Sequence, residues 1–173
     1  MQRERKVVPY DEEWPILYKK ESSQIIHHLK SMVTAIHHIG STAIPGMCAK
    51  PTIDILIEVE DVHALDDNEQ LSSLGYRPLG THGIKGRRYF EKTDGVGNHL
   101  VHLHAYTSGT EDVVRHLAFR DFLSVHEDAA DLYSQMKVQL AEHYPNDCDS
   151  YCEGKNELCR RIEQTALQWW YGA

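Results

Sequence analysis

Between residues 11 and 30 apolar side chains recur at near-helical spacing, at Trp14, Leu17, Ile25 and Leu29, with Asp11 placed as an N-cap and Pro15 in the first turn. That pattern predicts a helix. The period then changes: residues 34–39 and 52–59 are short β-branched runs on either side of a Gly/Pro-rich stretch, and read as two strands of one sheet. Residues 61–74 return to a helical pattern that Gly75 stops. Residues 87–92 and 100–106 flank the turn TDGVGN and read as a β-hairpin. From Thr110 onward the pattern is helical, broken near His126 and at Tyr144-Pro145-Asn146 into about three helices. The implied class is α/β in the α+β sense: a mixed β-sheet flanked by helices, with a helical C-terminal part. No internal repeat, low-complexity tract or long linker interrupts it, so residues 1–173 read as one domain.

Composition narrows the class further. Hydrophobic residues make up 41% and charged residues 25% of the 173 positions, which is ordinary for a folded globular protein and disfavours disorder. No stretch approaches the roughly 18 apolar residues of a spanning helix, and the start, MQRERKVVPYDEEW, carries charges where a signal peptide has its apolar run. The expected location is the cytoplasm, with no membrane partner. A formal charge of −8 disfavours a domain devoted to gripping a nucleic-acid backbone, yet leaves room for a local basic pocket. Cys48, Cys148, Cys152 and Cys159 form no CxxC pair and read as reduced core thiols. The spacing of the last three is a weak zinc signal, since structural zinc takes four ligands.

The run HHIGSTAIPGMCAKPTIDILIEV concentrates the candidate chemistry. Gly40-Ser41 follows one strand and Asp54 lies on the next, inside the apolar segment TIDILI, where a carboxylate is costly to bury without a partner. A Gly-Ser turn offers backbone N–H groups and a hydroxyl to phosphate, and a strand carboxylate can hold a divalent metal against it. Lys50, just before the strand, can bring an ammonium to the same phosphate. Arg87 and Arg88 alternate across a strand, so at most one of them faces a shared pocket.

The segments HIGSTAIPG, AKPTIDILI, GIKGRRYFEK, HLVHLHAY, RHLAFRDFL and a late YxxxK, in this order, resemble the GrpB-like family, from Val8 to about Arg161. The resemblance implies a nucleotidyltransferase-type fold. It also implies a link to coenzyme A metabolism, because some members are fused to dephospho-coenzyme A kinase. Carried onto this chain, Asp54 would be the catalytic and metal-binding carboxylate, Mg²⁺ or Mn²⁺ the cofactor, and a nucleotide or phosphorylated small molecule the ligand of Gly40, Ser41, Lys50 and one of the pair Arg87 and Arg88.

The chain departs from the nucleotidyltransferase pattern at its centre. That pattern places two carboxylates two residues apart on the motif strand; here the second position is Leu56, and Glu58 lies roughly 13 Å from Asp54 along the strand. The strand expected to supply a third carboxylate carries histidines instead. His102 and His104 share one face about 6.6 Å apart, and with Asp54 they would form a two-His-one-carboxylate set suited to a transition metal. Three readings follow: a nucleotidyltransferase, a non-catalytic nucleotide-binding or regulatory module that lost its metal carboxylates, and a His/Asp metal-dependent hydrolase. Of His37 and His38 only one can look into a pocket; Arg115, His116, Arg120 and Asp121 read as helix-surface pairs, and Trp169 to Tyr171 as the end of a docked helix.

Overall fold

The computed structural model describes residues 6–172, apart from the side chain of Cys148. The charged first five residues and the Cys148 thiol, both used in the sequence reading, lie outside the described residues. Helix α1, Glu13–Leu29, begins where the Asp11 carboxylate accepts the Glu13 N–H at 2.9 Å. It leads into β1, Val33–Ile39, and across a thirteen-residue loop that opens with a short 3-10 helix, Ser41–Ala43, into β2, Ile53–Val59.

The helix expected over residues 61–74 is not continuous. Asp61 accepts the His63 N–H and closes a 3-10 turn, Val62–Leu65; Asp67 turns left-handed at φ 59°, and Asn68 caps a new short helix, α2, Glu69–Ser73. Side-chain caps from Asp and Asn compete with helix propagation and cut the segment in two. After α2 comes a strand that the sequence reading missed, β3, Tyr76–Pro78. Only three residues long and ending in proline, it is tolerated because it lies at the sheet edge.

The expected hairpin is present as β4, Arg88–Thr93, and β5, His99–Thr107, joined by a turn in which the Asp94 carboxylate accepts the backbone N–H groups of Val96 and Asn98. The sheet runs β1-β2-β5-β4-β3, antiparallel except where β2 and β5 pair in parallel. Three helices complete the chain as expected: α3, Glu111–Val125, α4, Glu127–His143, and α5, Cys148–Trp170. Among the described residues no helix is long and apolar enough to cross a membrane.

Strand alternation gives the two faces of the sheet different chemistry. Ile53, Ile55, Ile57 and Val59 of β2, with Val101, Leu103 and Ala105 of β5, pack with Trp14, Ile25 and Leu29 of α1 into the larger core. The opposite face presents lateral rows set by register: Asp54 beside His102 beside Glu91, and Leu56 beside His104 beside Tyr89. A second core lies among α3, α4 and α5, and into it the β1–β2 loop sends Ile44 and Met47, at 0% and 1% exposure. This loop is therefore fixed from both sides, by the sheet and by the C-terminal helices. Leu103 is fully buried on a central strand, so Leu103→Ala should cost about 2–5 kcal/mol of unfolding free energy, measured by urea denaturation with an unchanged m-value.

Candidate phosphate-binding cleft

Gly40 ends β1 at φ +71° and ψ −172°, a backbone region essentially reserved for glycine. Its missing side chain has a second consequence. A Cβ there would sit 2.7 Å from the Asp54 Oδ2; the glycine thus lets the loop cross directly over the carboxylate. Ile39, the preceding residue, is the register partner of Asp54.

Beyond Gly40 the chain opens into a cleft of about 250 Å³ lined by Ser41, Thr42, Ala49, Lys50, Thr52, Asp54, His102, Tyr151 and Lys155. Tyr151 and Lys155 are one helical turn apart on α5, and both Lys50 and Lys155 place their ammonium groups over the Tyr151 ring, 4.7 and 5.5 Å from its centroid. Asp54 is the sole carboxylate among the described lining residues, and its side chain keeps 28% exposure.

The parallel pairing of β2 with β5 brings Asp54 and both expected histidines together. His102 Nδ1 lies 3.3 Å and His104 Nε2 3.5 Å from the same oxygen, Asp54 Oδ1. Burial alone would raise the Asp54 pKa; the hydrogen bonds and charge of the two histidines outweigh it and hold the carboxyl well below the usual range. A network extends outward from here: His102 Nε2 meets His99 Nδ1 at 3.1 Å, and His99 Nδ1 lies 3.5 Å from Glu91 Oε2. Inward, His104 approaches His116 at 5.5 Å between ring centroids, and the Tyr106 hydroxyl meets His116 Nε2 at 3.4 Å.

For a metal, the donor set carries a specific difficulty. Both imidazoles turn a nitrogen toward one carboxylate oxygen, rather than toward a common empty point, and among the described residues no group of three or more His, Cys, Asp or Glu is placed to hold an ion. Leu56, where a second carboxylate would stand, is fully buried with Ile39, Tyr106 and Val113. The residues present do not fit a two-metal carboxylate site.

The remaining candidates divide. Gly40, Ser41 and Lys50 are at the cleft. Arg87 is buried on the Tyr89 ring at 4.8 Å, donating to the carbonyls of Thr81 and His82 at 3.2 and 2.8 Å. Arg88 turns away and pairs with Asp66 and His63. His37 bonds Glu58 at 2.8 Å, while His38 bonds Thr42 and stacks on Tyr18. Arg120 is more than a surface pair, since it donates to the His38 carbonyl at 3.0 Å as well as to Asp121.

Sequence reasoning missed Lys137 of α4, whose Nζ lies 2.8 Å from Ser41 Oγ and 2.5 Å from the Cys48 carbonyl oxygen. The signal was its position four residues after Tyr133, on the helix stripe that faces the second core. Burial, reinforced by the charge of Lys155, lowers its pKa to about 7. His116, read from the sequence as part of a helix-surface pair, is instead half-buried against His104 and the Tyr106 hydroxyl.

The GrpB protein family matches residues 4–165. The chain belongs to the GrpB family. It is 40% identical over 168 residues to YqkA of Bacillus subtilis (strain 168), covering 96% of this chain but 48% of that protein, so it spans about half the length of that relative. The crystal structure of the conserved protein GrpB from Enterococcus faecalis superposes with a TM-score of 0.90 at 33% identity, covering 96% of this chain and 99% of that one. A dephospho-CoA kinase of Mycolicibacterium paratuberculosis carries a 28% identical region covering 95% of this chain and 46% of its own length. More distantly, the Cid1 poly(U) polymerase H336N mutant bound to MgATP shares the fold alone, with a TM-score of 0.53 at 13% identity over 79% of this chain and 43% of that one.

Two predictions test this geometry. Gly40→Ala should lose about 1–3 kcal/mol from backbone strain, with crowding of Asp54 adding to it, as read by chemical denaturation. Burial lowers the pKa of His38 to about 4, that of His116 to about 3, and that of His104 in the same direction. These histidines fold uncharged, so the stability they contribute is present above the unfolded value near 6.5 and is lost as pH falls toward the folded values. Stability should therefore drop between neutral pH and about pH 4, by up to about 1.4 kcal/mol per pH unit for each histidine. His116→Gln should flatten that slope in urea titrations.

Proposed function

We propose that the cleft binds a nucleotide or another phosphorylated small molecule. The observation that carries this reading is a local reversal of charge: in a chain of net charge −8, Lys50 and Lys155 face one small cleft together with the hydroxyl residues Ser41, Thr42 and Tyr151, against a single carboxylate. Ser41 and the two lysines would meet the phosphate oxygens. Asp54, ionised and partly exposed beside them, would face any Mg²⁺ or Mn²⁺ that the ligand brings. The shared fold makes nucleoside triphosphates the first ligands to try, and the relative named as a dephospho-CoA kinase adds dephospho-coenzyme A.

Leu56 favours one second reading, a binding or regulatory module without transfer chemistry, because its buried side chain leaves no oxygen where a second metal carboxylate would stand. The metal-dependent hydrolase reading draws less support, since His102 and His104 are engaged with Asp54 rather than open to an ion.

Thermal unfolding against a panel of nucleoside triphosphates, dephospho-coenzyme A and simple phosphates, each with and without Mg²⁺ or Mn²⁺, tests the proposal. A ligand at a hundred times its Kd should add about 2.7 kcal/mol, a rise of several degrees in Tm. Lys155→Ala should remove most of it, and Asp54→Asn should remove only its metal-dependent part. No shift with any member of the panel would refute the proposal.

A further inference from the structure

Lys137 occupies an unusual position for a lysine. Its side chain is 3% exposed, it forms no ion pair among the described residues, and its contacts are the Ser41 hydroxyl, the Cys48 carbonyl and the face of the Tyr133 ring at 4.5 Å. A buried ammonium without a counter-ion is costly, whereas a neutral amine is not. Lys137 Nζ donates to the Cys48 carbonyl and to the Ser41 hydroxyl oxygen, 2.8 Å away; as a neutral amine it has a lone pair that can instead accept the proton of that hydroxyl across the same distance. Ser41 itself lines the cleft, beside Lys50 and Lys155.

From this geometry we propose that Ser41 is a nucleophile and Lys137 its general base, taking a phosphoryl group from a phosphoester or phosphoanhydride bound in the cleft. The substrate class rests on the phosphate-binding reading; the nucleophile and base do not. In the step, Ser41 Oγ forms a bond to phosphorus and the P–O bond to the leaving group breaks, with the electron pair leaving on that oxygen. The Ser41 proton passes to Lys137 Nζ, which becomes the ammonium. Lys50 and Lys155 lie where they can offset the charge on the phosphoryl oxygens. A serine paired with a lysine base is a known arrangement for activating a hydroxyl, and here no aspartate or histidine is needed to explain the Lys137 contacts.

The test uses a small fluorophosphonate, which a nucleophilic serine attacks with loss of fluoride, followed by peptide mass spectrometry. The intact protein should be labelled at Ser41, at a rate that rises with pH through about 7, the value to which burial lowers Lys137, and then levels off. Ser41→Ala should take no label. Lys137→Met and Lys137→Arg should each slow labelling about a hundredfold or more, the arginine variant keeping a charge but offering no base. Melting curves check that both variants fold. Absence of label at Ser41, or a rate in Lys137→Arg equal to that of the unaltered protein, overturns the proposal. Thermal shifts by nucleotides that persist without labelling leave the binding cleft standing and remove only the nucleophile; labelling without any such shift keeps the nucleophile and removes the phosphate substrate.

Discussion

Everything proposed for this protein depends on how the loop between β1 and β2 is clamped. A thirteen-residue connection rich in glycine and proline would ordinarily be a mobile surface segment. Here Ile44 and Met47 are buried in the core formed by α3, α4 and α5, while Gly40 passes over Asp54 with no room for a side chain. Lys137 ties the two ends of the loop together from α4, reaching both Ser41 and Cys48. The hydroxyl of Ser41, the ammonium of Lys50 and the carboxylate of Asp54 are thus held in fixed relation by packing against two separate cores, which is the preorganisation that binding a small charged ligand requires.

The same arrangement sets limits on the chemistry. The polar face of the sheet is dominated by imidazoles, and the two nearest Asp54 point into its carboxylate. This keeps Asp54 ionised in a partly buried site, a role that two-metal enzymes give to the metal ions themselves. His104 and His116, set deeper, lose their protons to burial and act as neutral packing groups near neutral pH. In the proposed reading, Lys50 and Lys155 at the cleft would offset the phosphate charge, rather than a metal cluster on the strands.

Much of this was legible in the sequence, for physical reasons that differ by element. Strands β1 and β2 announced themselves through β-branched runs, β4 and β5 through the turn TDGVGN between them, and Asp54 through the cost of a carboxylate in an apolar run. The parallel pairing of β2 with β5, which brings Asp54 against His102 and His104, is a long-range register that no local pattern encodes. The failed helix over residues 61–74 had its cause in view, in Asp61, Asp66, Asp67 and Asn68, whose side chains cap turns as readily as they tolerate helix. Lys137 and Lys155 lie far from the loop in sequence, and only the packing of α4 and α5 against it brings them to Ser41 and the cleft. Lysine on a helix is ordinarily a solvated residue, so the pattern concealed Lys137.

The proposed phosphate site is the clamped loop and no other part of the surface. Two-dimensional amide NMR of the ¹⁵N-labelled protein, titrated with a nucleoside triphosphate and Mg²⁺, tests it most directly. The account predicts that the resonances moving with ligand are those of Gly40, Ser41, Thr42, Lys50, Tyr151 and Lys155. Movement confined instead to the separate cleft bordered by Asp112, Arg115 and Tyr171, with the loop resonances unchanged, would contradict it.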